Sequence, residues 1–343
     1  MILRAAIPSA VAILIGLAAA LALPRFVDLY TLLNLTIYVS MAAYALSIAL
    51  IWGHGGILCF GQAAFFGLGA YAYAVTAINF HDSTFAVVAA AVAPSLFAAA
   101  LGYFIFYGRL TDVYLGVITL TVTLILFKLA NSTAGEAYHI GSARLGGFNG
   151  MPDTPPLNAP FNPGRLLSPD EGFAVSVVVL VAAYIFCKWL INTRFGRAVS
   201  AVRENELRAE LLGHDSRLLK LIIFVIGAAI AGVAGMLFAT SVFVSPTVFG
   251  LSNAAQALIW VVVGGLETLA GPIIACFLLQ ALAAYLGALD LIDPNVVLGA
   301  VLIGFVLFLP RGLLPALIES QAAVRRRFSK RVPETQAVRV AHD

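Results

Sequence analysis

Residues Thr193–Val244 read TRFGRAVSAVRENELRAELLGHDSRLLKLIIFVIGAAIAGVAGMLFATSVFV, and the character of the chain changes at Lys220. The 28 residues up to Lys220 hold ten of the chain's 37 charged residues, and the 24 that follow hold none. A run that apolar and that long exceeds the needs of a soluble core and matches the roughly 20 residues a helix needs to cross about 30 Å of hydrocarbon. Only helices and closed barrels satisfy their backbone there. The apolarity is continuous rather than alternating, so Leu221–Val244 reads as a membrane helix and Thr193–Lys220 as the polar island from which it rises.

The rest of the chain repeats the pattern. Its 343 residues are 61% hydrophobic and only 11% charged, whereas soluble domains carry about a quarter charged residues. Ten candidate spans emerge: Ala5–Leu23, Leu29–Trp52, Ile57–Ala77, Phe85–Tyr107, Val113–Ala130, Phe173–Ile191, Leu221–Val244, Ala254–Leu266, Gly271–Leu289 and Val296–Leu309. The expected fold is an all-α, polytopic transmembrane helical bundle of about ten spans (8–10). Lys and Arg crowd cytoplasmic loops, and an inside N-terminus puts 16 of the 20 on one side. Arg25, Arg144 and Arg165 fall outside, and Lys128 lies near an outer end where it can snorkel. Both termini are then cytoplasmic. Residues 1–310 form the membrane domain, with a cytoplasmic loop at 193–220 and an external loop at 131–172, and residues 311–343 form a polar cytoplasmic tail. Arg325–Arg327, Lys330 and Arg331 in that tail suit anionic lipid headgroups rather than nucleic acid. Arg4 and Ala20-Leu21-Ala22 also resemble a signal peptide, but an apolar run of about 19 residues favours a retained span.

Several chemistries are excluded. The four lysines follow Phe127, Cys187, Leu219 and Ser329, so there is no Gly-Lys-Ser/Thr phosphate loop and no ATP hydrolysis by this chain alone. Asp28, Asp112, Glu267, Asp290 and Asp293 sit at span ends or in loops, and His54 and His81 flank spans. The mid-membrane carboxylates of ion-coupled carriers are therefore missing. Cys59, Cys187 and Cys276 show no paired spacing and read as small buried hydrophobes, with no metal site or cofactor implied. No nucleophile and base stand at a recognisable spacing, so the chain is not read as an enzyme.

Two segments invite a functional reading. Within the island, Glu204 and Arg208 form an i,i+4 pair, and Leu207 and Leu211 an apolar pair, on a short amphipathic helix stopped at Gly213; a solvated surface loop is the plainer alternative. In the third span, Gly55, Gly56, Gly61, Gly67 and Gly69 either allow close helix packing or expose backbone to a translocation path. Candidates for that path are Gly61, Gln62, Gly67 and Gly69, with Gln256 and Trp260 one turn apart on the eighth span. Pro94 predicts a kink in the fourth span. The external segment, rich in Pro, Gly and Asn, reads either as a landing surface or, especially over Pro152–Pro163, as disorder.

Four ordered motifs resemble one family. They are Leu58–Tyr71 (LCFGQAAFFGLGAY), Gly146–Gly150 (GGFNG), the island with its following Ala231–Gly235 (AGVAG), and Gly264-Gly265-Leu266 with Thr268–Pro272 (TLAGP). Together, over about Leu35 to Pro310, they resemble the inner-membrane permeases of branched-chain amino acid ABC importers, in the LivM-like subunit. Gln62 stands where many members carry histidine and Glu267 where many carry glycine. Of the EAA-xxx-G pattern in the docking loop of ABC permeases, only Ala209-xxx-Gly213 matches in register, with Glu206 one residue early. The resemblance implies a multi-pass protein of the bacterial inner membrane whose partners are a second, LivH-like permease, two ABC ATPase subunits and a periplasmic substrate-binding protein. It implies that Arg203, Glu204, Asn205, Glu206, Leu207, Arg208, Ala209, Glu210, Leu211 and Gly213 dock on an ATPase, and an importer gives Gly146, Gly147, Asn149 and Gly150 as contacts for the binding protein. The implied cargo is a branched-chain amino acid. Urea or another small amide on the same scaffold, and a self-sufficient secondary carrier, are the alternatives.

Overall fold

The computed structural model describes residue 16 and residues 23–108, 110, 112–135, 137–151, 153–160, 162–289, 294–308 and 312–315. Most of the first expected span, the tail beyond 315, and Arg109, Asp290, Asp293 and Arg311 lie outside the described residues.

Among the described residues, eleven α-helices follow in order: α1 Leu29–Ile48, α2 Gln62–Phe80, α3 Ser83–Tyr107, α4 Asp112–Ser132, α5 Pro169–Asn192, α6 Arg194–Glu204, α7 Glu206–Leu211, α8 Ser216–Ser241, α9 Leu251–Gly264, α10 Ala270–Leu289 and α11 Pro294–Phe308. Between α4 and α5 lie two small antiparallel hairpins, β1 His139–Ile140 with β2 Ala143–Arg144, and β3 Asn158–Ala159 with β4 Asn162–Leu166. Among the described residues, α1 to α5, α8 and α10 are the seven helices long and apolar enough to cross a membrane. The helices α9 and α11 are apolar but shorter. The chain is an all-α polytopic membrane protein.

Helix starts follow local chemistry. Asp28 caps α1 by accepting from Thr31 N at 3.2 Å, and Asp82 caps α3 through Thr84 N at 2.8 Å. Ser168 and Glu171 form a reciprocal capping box ahead of α5, with Pro169 in its first turn. At the centre of the bundle, α2, α3 and α8 pack mutually, and α1 lies against α8, α5 and α10. The α2–α8 crossing is set by glycine. A Cβ on Gly69 would overlap the Gly232 backbone, and one on Gly235 would overlap the carbonyl of Phe66. Such small-residue contacts let backbones approach where no hydrophobic force drives helices together. Pro94 is buried inside the continuous α3, where Gly232 makes room for its ring.

Two span boundaries move. The third span starts at Gln62 rather than Ile57, because α1 ends in a π-helical turn, Ala49–His54, and the chain then runs without regular structure to Gly61. Gly56 there has φ +69°, accessible to glycine at little cost. The seventh span is longer than read, since α8 begins at Ser216 inside the island under an Asp215 cap. The hairpin β3–β4 occupies much of the segment for which disorder was the alternative, and its Asn158 is buried against Asp82 and Ser83.

Candidate functional site

The polar island folds into two helices rather than one. Thr193 caps α6 by accepting from Gly196 N at 3.2 Å, and a Cβ on Gly196 would overlap the carbonyls of Leu190 and Ile191, which fixes the sharp turn out of α5. Asn205 then breaks the path in extended geometry, ending α6 and capping α7 through Oδ1 to Arg208 N at 2.9 Å. The expected Glu204–Arg208 pairing does not arise, because the break places these residues on separate helices. Glu206 pairs instead with Lys220, Oε2 to Nζ 2.7 Å, and the Ser216 hydroxyl donates to Glu210 Oε1 at 2.5 Å. Both contacts tie the six-residue α7 to the first turns of α8.

Gly213 is the stop that the sequence predicts. Its φ is +87°, its N–H donates to Glu210 O at 2.9 Å, and the next N–H, of His214, reaches back to Ala209 O at 3.1 Å. This is the double bond pattern that closes a helix on a left-handed residue. The anchoring leaves Ala209 buried while Leu207, Leu211 and Leu212 are 68%, 80% and 78% exposed. Three bare leucines on a braced turn form a tip that can enter an apolar groove on another protein.

The island touches the helix break. A Cβ on Gly56 would run into the Cβ and Cγ of Arg203, so the last turn of α6 lies directly on the unwound segment after α1. The turn between α9 and α10 arrives at the same end. A Cβ on Gly53 would overlap the Leu266 carbonyl, Gly264 abuts Gly271, and Thr268 Oγ1 closes the turn by accepting from Gly271 N at 3.2 Å. Arg203, the end of α1 and the 264–271 turn thus share one end of the bundle.

At the start of α2 lies Gln62, only 1% exposed. Its Nε2 donates to Ser47 Oγ on α1 and to Gly227 O on α8, both at 3.1 Å. The carbonyl acceptor fixes which end of the amide is nitrogen. Its Oε1 has no partner, and neither do the enclosed hydroxyls of Tyr44 and Tyr71. The buried hydroxyls of Thr36, Ser40, Ser47, Thr119, Thr123 and Ser176 all bond carbonyls of their own helix. Gln62 is different in tying three helices together beside the break.

The other path candidates make close contacts. A Cβ on Gly61 would overlap Thr119 of α4, one on Gly67 the ring of Phe249, and one on Gly69 the backbone of Gly232, so each sits in a close contact. Trp260 is 1% exposed, and Gln256 is partly exposed. Gly146–Gly150 lies at the opposite end of the bundle from the island and forms a 3-10 turn with positive φ at Gly146, Gly147 and Gly150. Met151 N donates to Val244 O at 2.6 Å beside it, and Phe148 is 68% exposed. What the sequence reading missed is the form of the joint after α8: Pro246–Phe249 is a 3-10 turn within the connection expected at 245–253, and α9, the eighth span, starts at Leu251 rather than Ala254. Ser245-Pro246 was the available signal.

Comparison with known proteins follows the same lines. The family model described as branched-chain amino acid transport system / permease component matches residues 29–309. The high-affinity branched-chain amino acid transport system permease protein LivM of Escherichia coli (strain K12) is 28% identical over 291 residues, 79% of this chain and 66% of that protein. A probable branched-chain amino acid transport permease protein LivM of Methanocaldococcus jannaschii is 30% identical over 155 residues, covering 44% of this chain and 39% of the relative. The permease protein LivH of Salmonella typhimurium is 33% identical over 141 residues, covering 41% and 45%. The chain thus spans 66% or less of the length of these relatives. No solved structure matches it.

Proposed function

We propose that this chain, which belongs to the family of branched-chain amino acid transport system permease components, is the membrane-spanning subunit of an ABC importer driven by ATPase subunits that dock on its polar island. The observation that carries the proposal is α7: a turn braced to α8 by Glu206–Lys220 and Glu210–Ser216, holding Leu207, Leu211 and Leu212 bare. Apolar side chains exposed at the centre of a patch, with Arg203, Glu204, Arg208 and Glu210 at its rim, suit the anatomy of a protein interface. Because Arg203 rests on the break after α1, a shift of the island acts on the segment that leads into the buried Gln62.

In this reading the island and the 264–271 turn face the cytoplasm, and Gly146–Gly150 faces a soluble receptor outside. The first of about ten spans carries the N-terminus inward, in a bacterial inner membrane. A related LivH-like permease supplies the other half of the pore, and a branched-chain amino acid is the cargo, as the names of the relatives suggest. Gly61, Gly67 and Gly69 serve the packing of α2, and Gln62 is the polar group that packing positions.

Gly213→Val tests the coupling directly. The site has open space around a Cβ but a φ of +87°, which costs a β-branched residue about 1–3 kcal/mol of strain. The α7 stop then loosens while the spans stay intact. The variant should insert normally and lose most substrate uptake while the complex still hydrolyses ATP. Wild-type uptake by the inserted variant would refute the assignment.

A further inference from the structure

We propose that the joint between α8 and α9, residues 242–250, together with the first two turns of α9, forms a wall of a water-filled path through the membrane region. The inference rests on reading the chain as a transport permease, and it names the part of the surface past which solute moves.

Depth comes first. The C-terminal end of α9, Gly264, abuts Gly271 at the island end of the bundle, and the helix has 14 residues. At 1.5 Å per residue it rises only about 21 Å, against roughly 30 Å of hydrocarbon. Its start is pinned independently. Phe249 stacks on Tyr71 with ring centroids 5.5 Å apart, and the missing Cβ of Gly67 leaves room for the same ring. Both partners lie in the middle of α2, well inside its Gln62–Phe80 span. Gly250 and Leu251 therefore sit within the apolar depth rather than at its outer edge.

The backbone there is irregular, and one side of the segment is open. Val242 is extended, Pro246–Phe249 is a 3-10 turn, Gly250 is extended again, and no side chain caps the start of α9. Irregular backbone at membrane depth is stable only when buried in protein or lining water. Val244, Pro246, Val248 and Phe249 are buried, but the other side of the segment is not covered by its own chain. Phe243 is 53% and Leu251 56% exposed, and Thr247, Ser252 and Ala255 are exposed as well.

Its polar content points to water rather than to a dry contact. The exposed Thr247 shares a hydroxyl hydrogen bond of 2.6 Å with Ser245, Ser252 is exposed beside it, and Asn253 Nδ2 donates to Val248 O at 3.0 Å. The exposed faces of α3, α4 and α10 differ. Val88, Leu96, Val117, Ile125 and Leu278 project from unbroken helices that satisfy their own backbone, as lipid-facing surfaces must.

Cysteine accessibility tests this in native membranes. The native Cys59, Cys187 and Cys276 are free and buried, so the background is low. Thr247→Cys, Ser252→Cys and Ala255→Cys are compared with Ile125→Cys and Leu278→Cys, using a charged, membrane-impermeant methanethiosulfonate. The thiolate attacks the sulfenyl sulfur, a mixed disulfide forms, and methanesulfinate leaves. Thiolate forms in water and not in lipid, so labelling at the three joint positions should be about tenfold or more faster than at the two controls. Rates at the joint as slow as at the controls overturn the proposal, whether lipid or a dry subunit contact covers the face. Labelling is read without transport, while uptake by the wild-type complex reports separately on the permease reading.

Discussion

Gln62 stands out because it is a buried amide with both donor bonds made to other helices and an acceptor left empty. Each hydrogen bond contributes on the order of 1 kcal/mol net, and a stranded buried acceptor costs about 1–3 kcal/mol. Gln62→Met keeps the volume and removes both bonds between helices, although Ser47 keeps its own hydroxyl bond to the Tyr44 carbonyl. The variant should lower stability by about 1–2 kcal/mol, read as a reduced thermal midpoint in detergent. An unchanged midpoint would mean that the node does not hold α1, α2 and α8 together. Gln62→Glu should be worse, since it buries a carboxylate with no cation beside it. The residue itself was legible in the sequence as a polar group within a run of glycines. Its partner was not, because Gly227 lies 165 residues away and accepts through its backbone, which no side-chain pattern records.

At the scale of elements, the α2–α8 crossing separates glycines that matter from glycines that do not. A Cβ on Gly69 would overlap backbone, whereas around Gly304 nothing lies within 4 Å. Gly69→Val should therefore abolish accumulation of folded protein, while Gly304→Ala should leave yield and melting unchanged; comparable yields for the two variants would contradict the packing account. The outer hairpin gives a pH prediction. Backbone bonding from Thr84, then the Asn158 amide, holds the half-buried Asp82 carboxyl below its ordinary 3.8. A lowered folded value means that this contribution is fully present above 3.8 and is lost as the pH falls below it. Limited proteolysis within 153–166 by an acid-active protease should accelerate below that pH in the wild-type chain, and the acceleration should vanish in Asp82→Asn. Helix identity was largely readable from apolar run length. The break at 55–61 was not, because Ile57, Leu58, Cys59 and Phe60 are as apolar as any helix, and sealing among neighbouring helices frees them from forming one. Asn205 hid in the same way: the charge pattern across it fits one helix, and only its capping geometry shows two.

At the scale of the molecule, the bundle has two distinct ends. One gathers α6, α7, the end of α1 and the 264–271 turn, and the other carries the hairpins and Gly146–Gly150. Charge placement in the sequence made that polarity legible, and the long-range contacts gave it a mechanical form: an exposed leucine tip braced on α8 and adjoining a helix break. The central claim is that power enters through this tip. A photocrosslinking residue placed at Leu211 and, separately, at Phe148 in membranes of cells making the whole transporter tests it most directly. The account predicts an adduct between position 211 and an ABC ATPase subunit, and none with that subunit from position 148. An ATPase adduct at 148, or its absence at 211 while the complex remains assembled, would contradict it.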